Sequence, residues 1–327
     1  MSEDFVLCAR AVRGGQFISE PGKSLYLQVP DTSDVPLPQH RKSVGEWVKN
    51  LRQASIWSLD SRDASKDRGD ILVFIHGYNN DQEVVMKRHR QLKKDLQAVG
   101  YKGVVMSFDW PSADSALNYL EDRHDAKVTA MQLVTDGIRI LAKEQGPGCT
   151  INIHLLGHST GAYVIREAFD DADDSYLSQA SWLVSQIAFI GGDISSDSLS
   201  EGNSSTEAIY RHCVRFTNYS NGADSVLKLS NAKRVGISPR VGRVGLPENI
   251  PAKAANVDCT DYFSALDSEK AIRDADQKAE IGTFAHSWHI GNQVFTLDLF
   301  ELLKGDLDRN LFPTRDVTTG SIKLKRP

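Results

Sequence analysis

Ile151-Asn152-Ile153-His154-Leu155-Leu156-Gly157-His158-Ser159-Thr160-Gly161 is the stretch on which the reading of this chain turns. A short apolar run leads into Gly157-His158-Ser159-Thr160-Gly161, and a helical pattern from Ala162 to Phe169 follows at once. Strand, G-x-S-x-G, helix is the context of a nucleophile elbow, a sharp turn that lifts a serine hydroxyl above a sheet. Glycines flank the serine because side chains there would collide with the neighbouring strand and helix. Five residues with two free positions also recur by chance. The motif therefore gains its weight from what surrounds it.

Working outward, Ile71-Leu72-Val73-Phe74-Ile75 is a continuous β-branched and aromatic run, the mark of a strand buried on both faces of a parallel sheet. It ends in His76-Gly77-Tyr78-Asn79-Asn80, and Asp81 can cap the helix that follows through Val84, Val85, Leu92 and Leu96. The basic residues of that helix, Lys87, Arg88, Arg90, Lys93 and Lys94, read as a solvated face rather than an anion site. Val104–Phe108 is a further strand, closed by Asp109-Trp110-Pro111, and residues 113 to 145 are helical in pattern, with Leu117 and Leu120 on the apolar face, up to Gly146-Pro147-Gly148. Past the elbow helix, whose end carries the acidic run Asp170, Asp171, Asp173 and Asp174, residues 187 to 193 and 213 to 219 read as strands, with a surface loop between them at 195 to 205. Residues 233 to 253 look irregular, 256 to 259 form a last short strand, and Val294–Leu303 is the final helix. The tail from Pro313 has no strong pattern.

Before residue 71 the runs Phe5–Val12 and Ser24–Val29 read as strands, with turns at Gly14-Gly15 and Pro21-Gly22; residues 43 to 53 suit a short helix, and 60 to 69 a charged loop. Strands alternating with helices imply βαβ units, hence an α/β protein with a doubly wound, mainly parallel sheet and helices on both faces. Residues 71–303 would be the core, and residues 1–69 N-terminal strands and a connection packed on the sheet as an antiparallel edge. Nothing resembles a linker, so 1–327 is read as one domain.

Composition narrows the function classes. The 327 residues carry 38 basic and 43 acidic side chains, a net charge of −5, which leaves no general footprint for nucleic acid or an anionic membrane. Cys8, Cys149, Cys213 and Cys259 are scattered without C-x-x-C spacing, so neither a zinc site nor a disulfide framework is expected. No apolar stretch approaches the length of a membrane span, and no signal peptide is visible after Met1, so the expected setting is cytoplasmic.

An alcohol is a weak nucleophile near neutral pH, so Ser159 needs a base and a group to orient that base. After an elbow the partners follow in the order acid, then histidine. Of nine histidines, only His286 and His289 lie beyond a suitable acid. His158 adjoins the serine but points to the other face; His76 and His154 read as structural, and His212 falls at the wrong end of a strand. His286, just before the last helix, is favoured over His289. Asp224, past the strand at 213–219, is favoured as acid over Asp193, and Asp258 is less well placed. The backbone N–H groups of Thr160 and Tyr78 are the expected oxyanion donors.

These residues give the chain a resemblance to the α/β hydrolases. More narrowly, Phe74–Asn80, Ser107–Ser112, the elbow, Gly192-Asp193-Ile194, Asn221–Ser230 and His286-Ser287-Trp288 resemble a bacterial, lipase- or esterase-like branch catalogued as domain of unknown function 900. The resemblance implies Ser159 as nucleophile, Asp224 as acid and His286 as base. Thr160 stands where that branch often has methionine, which a backbone donor tolerates. The polar stretch 264–283, helical in pattern over 267–280, looks like an insertion, either a lid or a solvated surface helix. The expected activity is hydrolysis of small carboxylic esters of short or medium acyl chain, with no metal or organic cofactor and an open oligomeric state. A lactonase, thioesterase, amidase or acyltransferase would use the same residues, and a non-catalytic binding protein that kept the elbow is the rival from another class. Lys233, Arg234, Arg240 and Arg243 raise selection of anionic substrates, against solvated loop charges as the plainer reading.

Overall fold

The computed structural model describes residues 3–58, 68–112, 119–143, 150–173, 182–232, 238–318 and 320–327. Most of the charged loop read at 60–69, the stop at Gly146-Pro147-Gly148, Leu117, Cys149, Asp174, Lys233 and Arg234 lie outside the described residues, as does the side chain of Leu120. The strands are β1 (Glu3–Arg13), β2 (Gln16–Pro30), β3 (Arg41–Lys42), β4 (Ile56–Ser58), β5 (Arg68–Ile75), β6 (Val104–Asp109), β7 (Thr150–His158), β8 (Val184–Ile190), β9 (Cys213–Ser220), β10 (Ala254–Asp258), β11 (Arg315–Asp316) and β12 (Ile322–Leu324). They form one sheet in the order β11-β12-β10-β9-β8-β7-β5-β6-β1-β2-β3, with β4 paired to β5. Every neighbouring pair from β12 to β1 is parallel, and the antiparallel pairs lie at the two edges and at β4.

The apolar runs explain the layers. Side chains alternate across a strand, so Ile71, Val73 and Ile75 of β5 enter one core while Leu72 and Phe74 enter the other. β7 and β8 divide in the same way: Ile153, Leu155, Ile187 and Phe189 face one side, and Leu156, Ala188 and Ile190 the other. The helix Thr160–Asp173 covers the first face with Ala162, Ile165 and Phe169, and the helices Gln82–Ala98 and Gln293–Lys304 cover the second with Leu92, Leu96, Leu299 and Leu302. This is a mainly parallel α/β sheet with helices on both faces, the α/β-hydrolase architecture.

Four details differ from expectation. β1 runs parallel to β6, so the antiparallel edge begins only at β2. Pro21-Gly22 makes no turn: β2 runs through it, with the register slipping around Arg10, which faces Pro21, and a bulge near a sheet edge is where a strand tolerates proline. The loop read at 195–205 includes a short 3-10 turn, Asp197–Leu199, and the start of a helix at Ser204, capped by Asn203. The tail supplies β12 alongside β10, so 254–258 is not the last strand. Asp298 holds that tail, bonded to Arg315 (2.6 Å), Thr314 Oγ1 (2.6 Å) and Tyr219 Oη (2.6 Å), all buried.

Within 264–283 the stretch completes one helix, Thr260–Ser268, and forms another, Lys270–Asp276. The first of these helices packs inward through Tyr262 and Phe263 against Trp288; from the stretch itself, Leu266 is buried in the same core and Gln277 Nε2 donates to the carbonyls of Trp288 and Ile290. No described helix is long and apolar enough to cross a membrane.

Candidate active site

The site grows from the carboxyl ends of β5, β7, β8 and β9. Ser159 follows β7 with φ of 55°, a left-handed backbone that costs a non-glycine residue energy and persists where the surroundings impose it. The imposition is visible. Ser159 N–H donates to Ile190 O (3.0 Å), and Ser159 O accepts from Ala162 N–H (3.1 Å) and Asp193 N–H (3.1 Å). A Cβ on Gly157 would press on Ile165 and Ala162 of the following helix, and one on Gly161 would collide with the carbonyl of Ile75 on β5. Thr160 is buried and opens the helix, where first-turn N–H groups have no partner within the helix.

His286 rides on the short helix Phe284–Ser287, between the packed stretch just described and Trp288. Its Nδ1 lies 2.6 Å from Asp224 Oδ2, with both groups buried. Asp224 is fixed by its other oxygen, which accepts from Leu227 N–H (2.9 Å) at the start of the helix Ser225–Ala232. A carboxylate can only accept, so Nδ1 carries the proton and Nε2 is left basic. Nε2 is buried with no hydrogen-bond partner among the described residues. The ring packs against His158 (centroids 5.0 Å) and beside Gly191, the residue after the Ile190 carbonyl that holds Ser159.

The remaining candidates are placed elsewhere. Asp193 abuts the elbow through its backbone, and its carboxylate pairs with Arg240 Nε at 3.2 Å in the interior. His289 stacks on Trp288 (4.1 Å) beside Phe295, and neither ring nitrogen has a hydrogen-bond partner among the described residues. Burial, with His286 adding to it, pushes the His289 pKa well below the usual range. Asp258 is a turn aspartate that accepts from Thr260 N–H (2.9 Å) and its hydroxyl (2.6 Å). Arg240 is buried with Asp193 and Arg243 is half-buried, so of the four cations raised for anionic substrates these two are not solvated loop charges.

Tyr78 sits in the loop after β5, beside Asn79 at φ 54°. A buried network that the sequence did not announce holds this loop. Arg10 Nε donates to Asp109 Oδ1 (2.8 Å) and Arg10 Nη2 to Asn80 O (3.1 Å), while Asn80 Nδ2 donates to the carbonyls of Gly77 (2.7 Å) and Tyr78 (2.9 Å). His76 Nε2 is 3.2 Å from Asp109 Oδ1, Gln82 donates to Oδ2 (2.8 Å), and the His76 ring stacks on Trp110. Burial pushes the Asp109 carboxyl up, but Arg10, His76 and Gln82 more than offset it and hold it below the usual carboxylate range. Burial likewise lowers His76 despite Asp109. One signal was present: a charged Arg10 inside the otherwise apolar run Phe5–Val12.

Arg88 belongs to a basic run that suggests a solvated face, and it is buried instead. Its guanidinium reaches His158 Nδ1 (3.4 Å), Ile281 O (3.1 Å) and Ser287 Oγ (3.2 Å). Arg90 and Lys93 also leave the solvated face, both pairing with buried Asp4 at 2.8 Å. Among the described residues no group of three or more His, Cys, Asp or Glu is placed to hold a metal ion. A cavity of about 640 Å³ lies at the opposite, amino-terminal end of the strands, lined by Trp57, Asp70, Tyr101 and Asn152. Asp70 there is occupied by Trp57, Asn152 and His154, and among the described residues the lining includes no serine or cysteine.

The sequence pattern of a family described as alpha/beta hydrolases of unknown function (DUF900) matches residues 58–270, well over half of the chain. The match takes in Ser159 and Asp224 and ends before His286. No curated protein matches the chain. Similar solved structures include dienelactone hydrolase from Anabaena variabilis (14% identity, TM-score 0.38), which covers 84% of this chain and 94% of its own. A cutinase-like protein from Cryptococcus is 12% identical with a TM-score of 0.29, over 72% of this chain and 90% of its own. RedJ-thioesterase from Streptomyces coelicolor is 14% identical with a TM-score of 0.30, over 58% and 77%.

Proposed function

Since the chain belongs to the family of α/β hydrolases of unknown function (DUF900), we propose that it is a serine hydrolase of small carboxylic esters of short or medium acyl chain. The observation that carries this reading is the buried 2.6 Å contact of His286 Nδ1 with Asp224, beside a serine held in a left-handed turn. Ser159 Oγ attacks the ester carbonyl while His286 Nε2 takes its proton, and Asp224 stabilises the imidazolium that forms. The oxyanion accepts from the backbone N–H groups of Thr160 and Tyr78, each contributing about 3 kcal/mol to lowering the barrier. His286 then returns the proton to the leaving alcohol. A water, activated by the same Nε2, releases the acid from Ser159.

The test is turnover of p-nitrophenyl butyrate by wild type and Ser159→Ala, with thermal melts of both. Wild type should turn over, and Ser159→Ala should lose activity by at least a thousandfold while melting normally. A fluorophosphonate should label wild type at Ser159. Absence of any adduct on folded protein would favour a binding protein that kept the elbow, and retained activity in Ser159→Ala would sink the assignment.

A further inference from the structure

Arg88 is a charge in a place that disfavours charges. It is buried on the helix Gln82–Ala98, three residues after Val85 and four before Leu92, on the face that packs against the sheet. Among the described residues no carboxylate pairs with it and its Nε has no hydrogen-bond partner. Burial lowers its pKa to about 10, which still leaves it cationic. An uncompensated buried cation opposes folding. Its contacts show what it holds instead.

All three partners converge on the base. Arg88 Nη2 donates to Ile281 O (3.1 Å) and Ser287 Oγ (3.2 Å), on either side of His286. Arg88 Nη1 faces His158 Nδ1 at 3.4 Å, and because a guanidinium can only donate, that nitrogen must be the acceptor. His158 therefore carries its proton on Nε2, which lies 3.4 Å from the His286 carbonyl and 3.5 Å from Ser287 Oγ. Burial, then Arg88, keep His158 neutral, far below the ordinary histidine pKa. Gly282 completes the fit: at φ 96° it stands where any Cβ would collide with Arg88 Nη2.

Building on the hydrolase reading, we propose that Arg88 is a positioning residue for the base, clamping the 281–287 segment and fixing His158 in the tautomer that holds the His286 backbone. Asp224 sets the imidazole from its Nδ1 side. Arg88 and His158 set the backbone from which that imidazole hangs. A displacement of about 1 Å in a reacting group can cost on the order of a hundredfold in rate, so this clamp should act on kcat rather than on substrate binding.

The experiment compares wild type with Arg88→Met, His158→Gln and His158→Leu, using p-nitrophenyl butyrate kinetics, thermal melts and imidazole ¹⁵N spectra. Arg88→Met removes the charge and the donors at similar volume. It should melt at or above the wild-type temperature, lose at least tenfold in kcat with KM within twofold, and show His158 as a mixture of tautomers. His158→Gln keeps one donor and one acceptor and should retain at least a third of kcat, whereas His158→Leu should match the loss in Arg88→Met. A kcat for Arg88→Met within twofold of wild type overturns the proposal, as does a loss that only tracks a lowered melting temperature with the His158 tautomer unchanged. Should Arg88→Met not fold, the His158 pair decides, and equal activity of Gln and Leu overturns it. The hydrolase reading fails separately, if wild type shows no Ser159-dependent turnover. The nitrogen spectra of wild type then still decide whether His158 carries its proton on Nε2, and the Nδ1–H form would overturn the clamp.

Discussion

Asp224 and Asp193 both follow strand ends, both are buried, and they should fail in opposite ways. Asp224→Asn keeps the shape of the side chain but can present a donor to His286 Nδ1, favouring the wrong tautomer. We expect kcat to fall by about 10³–10⁴-fold with KM little changed and the fold intact. Asp193→Asn leaves the buried Arg240 guanidinium without its counter-charge. The expected cost is about 3–5 kcal/mol of stability, with activity per folded molecule within about tenfold of wild type. Urea unfolding and steady-state kinetics on both variants check this, and a large kcat loss in stable Asp193→Asn would reverse the two roles. Ser159, Asp224 and His286 could be named as candidates from the sequence because an elbow fixes one residue and the order of the fold limits the others. Arg88 could not be picked out so easily. In a run with Lys87, Arg90, Lys93 and Lys94, charge alone suggests solvent, and only the spacing to Val85 and Leu92 marks Arg88 as facing inward.

At the scale of elements, the elbow depends on two backbones approaching without side chains between them. The first turn of the helix Thr160–Asp173 lies on the end of β5, so closely that a Cβ on residue 161 would strike the Ile75 carbonyl. Neither partner is a side chain that can swing aside. Gly161→Ala should therefore push the helix off the strand and move Thr160 away from the loop that carries Tyr78. We expect the urea midpoint to fall and the folded fraction to lose at least a hundredfold in kcat; a variant as stable and active as wild type would refute this packing argument. The central strands were legible because each carries apolar residues that are buried on both faces, in an unbroken run in the case of β5. The edge elements were not. β11 and β12 are two and three residues long and owe their place to the Arg315–Asp298 pair rather than to local pattern. Pro21-Gly22 carries the composition of a turn, and only its partner strand shows it to be a bulged strand.

At the scale of the whole molecule, the polar groups buried around the site tie folding to pH. Burial is the main reason that His76, His158 and His289 are held below the ordinary histidine pKa of 6.5. In the unfolded chain each would bind a proton below about pH 6.5; in the folded chain each resists it. The unfolded state then holds more protons, so stability rises with pH through this window and is lost as pH falls below it. One such group contributes a slope of up to about 1.4 kcal/mol per pH unit, and three contribute up to about 4. Asp4 and Asp109 act lower on the scale. Burial raises both, but the cationic and hydrogen-bonding neighbours of each outweigh it, so their stabilisation is present above about pH 4 and is lost as pH falls further. Urea midpoints should therefore be level between pH 7 and 8 and drop steeply between about 6.5 and 5, before the carboxylates titrate. His289→Phe, which keeps a ring against Trp288 and Phe295, should make that descent shallower. A wild-type midpoint unchanged from pH 8 to 5 would mean that the buried histidines accept protons in the folded state.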